Sequence, residues 1–230
     1  MMNDQQVATI QTVLAARPRL YFLIGGSCTG KTTLSQAIAA QFGLPIIDMD
    51  AHIYGDYHAR FTAEQHPTNY NWATAENGLA WLLAKTWTEF DRFNADSNAE
   101  YLALLAEDLM AHDPQRPILV DGGFSKPGVL AQFVPVAQII CLALPDGVSG
   151  RIWNEAEDRR PMKEMVQQLR YPADAWNRFL AFDAQMSQTM VAESKTNGIR
   201  VIVREANSTV AELVAQVAGY WGLDGFNLDM

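Results

Sequence analysis

The chain has 230 residues, 49% of them hydrophobic and 19% charged, which is enough apolar material for one large α/β domain with a sizeable core. Acidic residues outnumber basic ones, 26 to 17, and the formal charge of −9 speaks against a duplex nucleic-acid surface, whose affinity comes from clustered Lys and Arg. Two cysteines, Cys28 and Cys141, make neither a metal-ligand spacing nor a disulfide framework. No apolar run reaches membrane-spanning length, and the opening MMNDQQVATI lacks the basic and long apolar segments of a signal peptide. A cytoplasmic protein without a membrane partner is expected.

In chain order, residues 5–16 read as a lead-in helix with Ile10, Val13 and Leu14 on one face. Leu20 to Ile24 is a buried strand, and residues 30–42 follow as a helix closed by Gly43. Pro45 to Ile47 forms a second strand that ends at Asp48 and Asp50. Residues 58–72 show no sustained period and read as an ordered loop or broken helix. Two helical patterns come next, one through Leu79, Leu82, Leu83, Trp87 and Phe90, the other through Leu102, Leu105 and Leu109. Ser97 followed by Glu100 matches a capping box between them. Pro117 to Val120 is the third strand, and Ser125-Lys126-Pro127 opens a helix. The fourth strand, Gln138 to Leu144, leads into a polar and basic stretch. A helix through Trp176, Phe179, Leu180, Asp183 and Met186, the strand Ile199 to Val203, and a helix started by Thr209 with Glu212 complete the chain.

Short apolar strands alternating with helices predict an α/β fold, a mostly parallel five-stranded sheet with helices on both faces. We expect one domain over 1–230, with residues 52–112 as a helical insertion over the substrate and residues 146–171 as a candidate lid.

Between the first strand and the following helix, Gly25 to Thr32 spell G-x-x-x-x-G-K-T. That spacing curls the backbone so that successive N–H groups face an anion at a helix N-terminus. Gly25, Gly26, Ser27, Cys28, Thr29, Gly30, Lys31, Thr32 and Thr33 are therefore the candidate nucleotide-binding residues. Lys31 has the reach for the β/γ-phosphates, and the Thr32 hydroxyl suits a magnesium shell. Cys28 reads as a small spacer in the turn.

With this loop, D-M-D at Asp48 to Asp50 and V-D-G-G at Val120 to Gly123, the chain resembles the P-loop kinases of small molecules, a family that includes shikimate, gluconate, nucleoside and antibiotic kinases. The resemblance implies a three-layer αβα P-loop nucleoside triphosphate hydrolase fold, ATP and Mg²⁺ as cofactors, and an Arg-bearing lid. By position in the motif, Asp48 would orient magnesium-bound water, and Asp50 would accept or orient the acceptor hydroxyl. Asp121 resembles a Walker B carboxylate at the metal, with Gly122 and Gly123 allowing close approach of a ligand. One or two lid cations are expected from the segment with Arg151, Arg159, Arg160 and Lys163; Arg159 is the first candidate, with Arg160 and Arg151 as alternatives.

Around Asp50, His52, Tyr54, Tyr57, His58 and Arg60 are candidates to surround a polar acceptor, and Arg60 and Arg92 would suit an acidic one. Trp72 has the surface to stack on a ring, whereas Trp87 and Met162, Met165, Met186 and Met190 suit packing. The segment after Asp50 lacks the F-R-x-x-E pattern expected of a shikimate kinase. The leading expectation is γ-phosphoryl transfer to a small-molecule hydroxyl or phosphate acceptor by a monomer or homodimer that binds no nucleic acid. The alternatives are an ATPase conformational switch and a noncatalytic nucleotide-binding regulator. A GTPase is disfavoured because no N-K-x-D motif occurs.

Overall fold

The computed structural model describes residues 4–223. Five strands, β1 (Leu20–Gly25), β2 (Ile46–Asp48), β3 (Ile118–Asp121), β4 (Ile139–Ala143) and β5 (Arg200–Val203), form one sheet in the order β2-β3-β1-β4-β5. Every pairing is parallel, so the mostly parallel expectation becomes an all-parallel sheet. Alternate side chains leave its two faces. Leu20, Phe22 and Ile24 join one core with Ile118, Val120, Ile139 and Cys141; Tyr21 and Leu23 join the other with Leu119, Ile140, Leu142 and Ile202. Both faces are thereby buried, which explains the unbroken apolar runs.

Helices α1 (Asp4–Ala15), α7 (Trp87–Leu109), α8 (Pro127–Leu130) and α11 (Ala175–Thr196) cover the first face, through Ile10, Leu14, Leu102, Leu105, Leu130 and Met190. Helices α2 (Lys31–Phe42) and α12 (Val210–Trp221) cover the second, through Leu34, Ile38, Leu213, Val217 and Trp221. Three layers, this strand order and the loop between β1 and α2 make this the αβα P-loop nucleoside triphosphate hydrolase fold. Among the described residues no helix is long and apolar enough to cross a membrane.

Between β2 and β3 the structure departs from the periodicity. The aperiodic stretch 58–72 holds the end of α4 (Asp56–Arg60) and most of α5 (Pro67–Ala73); α3 (Met49–Tyr54) precedes it and α6 (Gly78–Leu83) follows. Trp87 and Phe90 belong to α7, which runs unbroken for 23 residues through the expected boundary at Ser97. The capping box is Thr86 with Glu89: Thr86 Oγ1 accepts from the Glu89 N–H at 3.3 Å, and Glu89 Oε2 accepts from the Thr86 N–H at 2.8 Å. Glu100 lies buried in mid-helix and caps a different helix. Its carboxylate accepts the backbone N–H groups of Thr68 and Asn69 at 2.9 Å each, satisfying the start of α5. The spacing of a capping box was present, but its acidic member serves another element. Thr86→Ala is expected to lower stability by about 1 kcal/mol in urea denaturation; an unchanged midpoint would place the start of α7 elsewhere.

Candidate active site

The loop after β1 is held by contacts on two sides. Gly25 has φ 149°, and a Cβ there would overlap the Leu142 carbonyl oxygen of β4. Cys28 stands in the left-handed region at φ 62°, and its carbonyl accepts from Arg204 Nη2 at 3.0 Å. Arg204 follows β5, where its own N–H donates to Ala143 O at 2.8 Å, so the last strand fastens the loop through this side chain. Thr29 Oγ1 donates to Gly26 O at 2.9 Å. Gly30 starts α2 without a side-chain cap, leaving the first N–H groups of that helix to point into the turn. Lys31 Nζ crosses the loop to Gly26 O at 3.1 Å. The Cys28 thiol is pushed up in pKa, chiefly by burial, which suits a spacer and not a nucleophile.

Three carboxylates occupy the strand ends beside this loop. Asp48 and Asp121 are register partners on β2 and β3. They face different surroundings. Asp48 is exposed, and its Oδ1 accepts from the Ala51 N–H at 3.0 Å as the N-cap of α3. The D-x-D pair therefore straddles a strand–helix junction; its two side chains do not share a strand face. Asp121 is 4% exposed, and its Oδ1 has no hydrogen-bond partner. Burial raises its pKa, against the opposing influence of Lys31 and the nearby Ser35 and Thr32 hydroxyls. Asp50, in the first turn of α3, opens onto a cavity of about 440 Å³ that also includes Gly25, Ser27 and Lys31. Solvent reaches its carboxylate through the cavity, yet the surrounding protein still raises its pKa. Lys31 opposes that rise, Asp48 adds to it, and the Gly123 N–H lowers it.

The glycine pair shapes this corner. Gly122 and Gly123 have φ of 70° and 71°, and a Cβ on Gly122 would lie 3.0 Å from Asp50 Oδ2. Gly123 lines the cavity, whereas the close approach at Gly122 is made by Asp50.

Residues 146–171 contain α9 (Val148–Glu155) and α10 (Arg160–Gln167). Trp153 and Met162 from this segment line the cavity, and the Ser149 hydroxyl donates to Asp183 on α11. Arg159 lies 3.4 Å from Asp158 and over the Trp153 ring at 5.3 Å, within electrostatic reach of Cys28. Arg160 pairs with Glu157 at the surface, and Lys163 lies over Trp176.

The expected substrate role of Arg60 requires correction. Its guanidinium forks onto Asp108 at 2.7 Å and Glu107 at 2.9 Å on α7, outside the cavity lining. Tyr57 is fully buried and donates to Asp108 Oδ2 at 2.7 Å, and Arg92 is 84% exposed beside Asp96. Neither faces the cavity. Trp72 and Tyr54 do line it, as do Met162, Met186 and Met190, which the sequence had suggested only for packing.

The sequence reading missed Asp183 and a stripe formed by Asn94, Ser97, Asn98 and Tyr101, all of which line the cavity. Signals for both were present. Asp183 interrupts the apolar face of α11, and the stripe repeats at three and four residues along one line of α7.

No family model matches this sequence, and no curated protein matches it. Among solved structures, the chain is similar to a shikimate kinase from Acinetobacter baumannii in complex with shikimate, at 14% identity and a TM-score of 0.47. That likeness covers 96% of this chain and 99% of the other.

The residues at the loop fit a magnesium–nucleotide. Asp121 has a buried oxygen free to accept, the Thr32 hydroxyl lies beside it, and uncapped N–H groups turn toward the same space. Among the described residues no group of three or more His, Cys, Asp or Glu would hold a metal unaided. Magnesium would accordingly be bound mainly by water and phosphate oxygens, with one or two protein ligands.

The raised pKa of Asp121 has a stability consequence. Its ionised form is disfavoured by folding, so the penalty is absent below the unfolded pKa, near 3.8, and grows as pH rises above it. Asp121→Asn is expected to raise the ligand-free melting temperature at neutral pH, with the difference from wild type vanishing in acid. The same variant should lose most of the stabilisation that magnesium–ATP gives. A variant less stable than wild type at neutral pH, yet still fully stabilised by magnesium–ATP, would contradict this placement.

Proposed function

We propose that this chain is a P-loop kinase of small molecules that transfers the γ-phosphoryl group of ATP to an acceptor hydroxyl. The observation that carries the proposal is the continuity of one cavity from Lys31, at the phosphate loop, to Asp50. A nucleotide switch has no need of such a chamber; a transferase needs one to bring donor and acceptor together.

In this reading the loop N–H groups and Lys31 hold the donor phosphates, and Thr32 and Asp121 orient the metal. Magnesium would neutralise charge on the phosphate oxygens. Asp50 accepts the acceptor hydroxyl proton as that oxygen bonds to the γ-phosphorus and the bond to the leaving ADP oxygen breaks. Its elevated pKa moves it closer to the range in which a base can take and release a proton. Gly122 and the Gly123 N–H fix the carboxylate position. Arg159 approaches phosphate oxygens from the 146–171 segment, and Trp153 and Met162 help exclude water that would otherwise take the phosphoryl group. Asp48 acts through α3, by capping the helix that presents Asp50.

Asp50→Asn should reduce acceptor-dependent turnover by about 10²- to 10⁴-fold and leave magnesium–ATP binding intact. Steady-state rates together with calorimetric titration check both halves. Undiminished transfer by this variant would remove Asp50 from the chemistry.

A further inference from the structure

The walls of the acceptor end carry a chemical preference that the reaction type leaves open. Beyond Lys31 and Asp50 the cavity is bounded largely by rings, among them Trp72, Phe93, Tyr101, Phe124, Trp153 and Phe182. These are firmly seated: Tyr101, Phe124 and Trp153 are nearly inaccessible, and Phe182 stacks on Phe90 at 4.7 Å. A preformed aromatic chamber gains affinity by covering an apolar ring without first having to order its own walls.

Charge sharpens the preference. Among the described residues, the charged ones lining the cavity are Lys31, Asp50 and Asp183, and of these the cation is the one assigned to the donor phosphates. Nearby cations are committed elsewhere. Arg178 donates to Leu83 O at 2.7 Å and Lys85 O at 2.6 Å, capping the end of α6. Lys126 is nearly buried between Asp91 and Glu193. Arg159, over the Trp153 wall, is assigned to the donor phosphates, so a carboxylate or phosphate on the acceptor would enter an apolar space with two carboxylates and, among the described lining residues, no cation beyond Lys31. Hydrogen-bonding capacity remains at Asn94 and Asp183, which line the cavity on α7 and α11.

We infer that the acceptor is a ring-bearing alcohol without negative charge, seated by the aromatic walls with its hydroxyl toward Asp50. This rests on the kinase reading above. It excludes the phosphate acceptors and sugar acids that the sequence left open.

The test uses the full chain with matched probes: benzyl alcohol against its para-carboxylate, thymidine against thymidine monophosphate, and the methyl ester of shikimate against shikimate. Transfer from γ-labelled ATP gives kcat/KM, and tryptophan fluorescence with a non-hydrolysable ATP analogue gives binding. The uncharged member of each pair should be preferred by at least about tenfold. Equal or better transfer to the charged members would overturn the inference while upholding the kinase. Uncharged probes that bind preferentially and are never phosphorylated would support the pocket preference and sink the kinase reading. If no probe is either bound or phosphorylated, the inference falls.

Discussion

The loop after β1 has little freedom to move, and the rest of the site is arranged around that constraint. Gly25 lies against a β4 carbonyl, Arg204 reaches from the end of β5 to the Cys28 carbonyl, and Gly26 packs closely on Ser187 of α11. The phosphate loop is therefore referenced both to the sheet and to the helix that carries Asp183. Preorganised N–H donors cost no rearrangement when charge develops near them, which is why a rigid loop suits phosphoryl chemistry. The same rigidity fixes the distance between the donor end and the acceptor end of the cavity.

Parallel strands place their carboxyl ends on one edge, and that edge collects the acidic residues. Asp48, Asp50 and Asp121 lie within a short stretch of it, but their surroundings divide their work. An exposed carboxylate caps a helix; a buried one with a free oxygen suits metal binding; one open to the cavity suits an acceptor. The pKa is raised for the last two, and for the buried Asp121 the ionised form opposes folding at neutral pH. A group retained against stability in this way is characteristic of functional sites.

The sheet and the loop were legible in the sequence because both rest on local rules. Apolar runs of strand length, a Gly-rich turn and a following helix period are readable without knowledge of distant contacts. The segment between β2 and β3 was not, because its elements are stabilised by partners far along the chain. Glu100 has capping spacing with Ser97, yet it satisfies the start of α5, and Arg60 is drawn to Asp108 and Glu107. Asp183 was visible beside the apolar face of α11, and Asn94, Ser97, Asn98 and Tyr101 as a three-and-four repeat on a mixed helix. Only the packing of α7 against the sheet and beside α11 shows that these residues face one chamber.

The most direct measurement is the fate of label from γ-labelled ATP, partitioned between acceptor and water in the presence of uncharged ring alcohols. The account predicts label in a phosphorylated alcohol, with release as inorganic phosphate a minor path that does not increase with acceptor. Label appearing only as inorganic phosphate, at a rate indifferent to every acceptor, would contradict it and favour a nucleotide-driven switch.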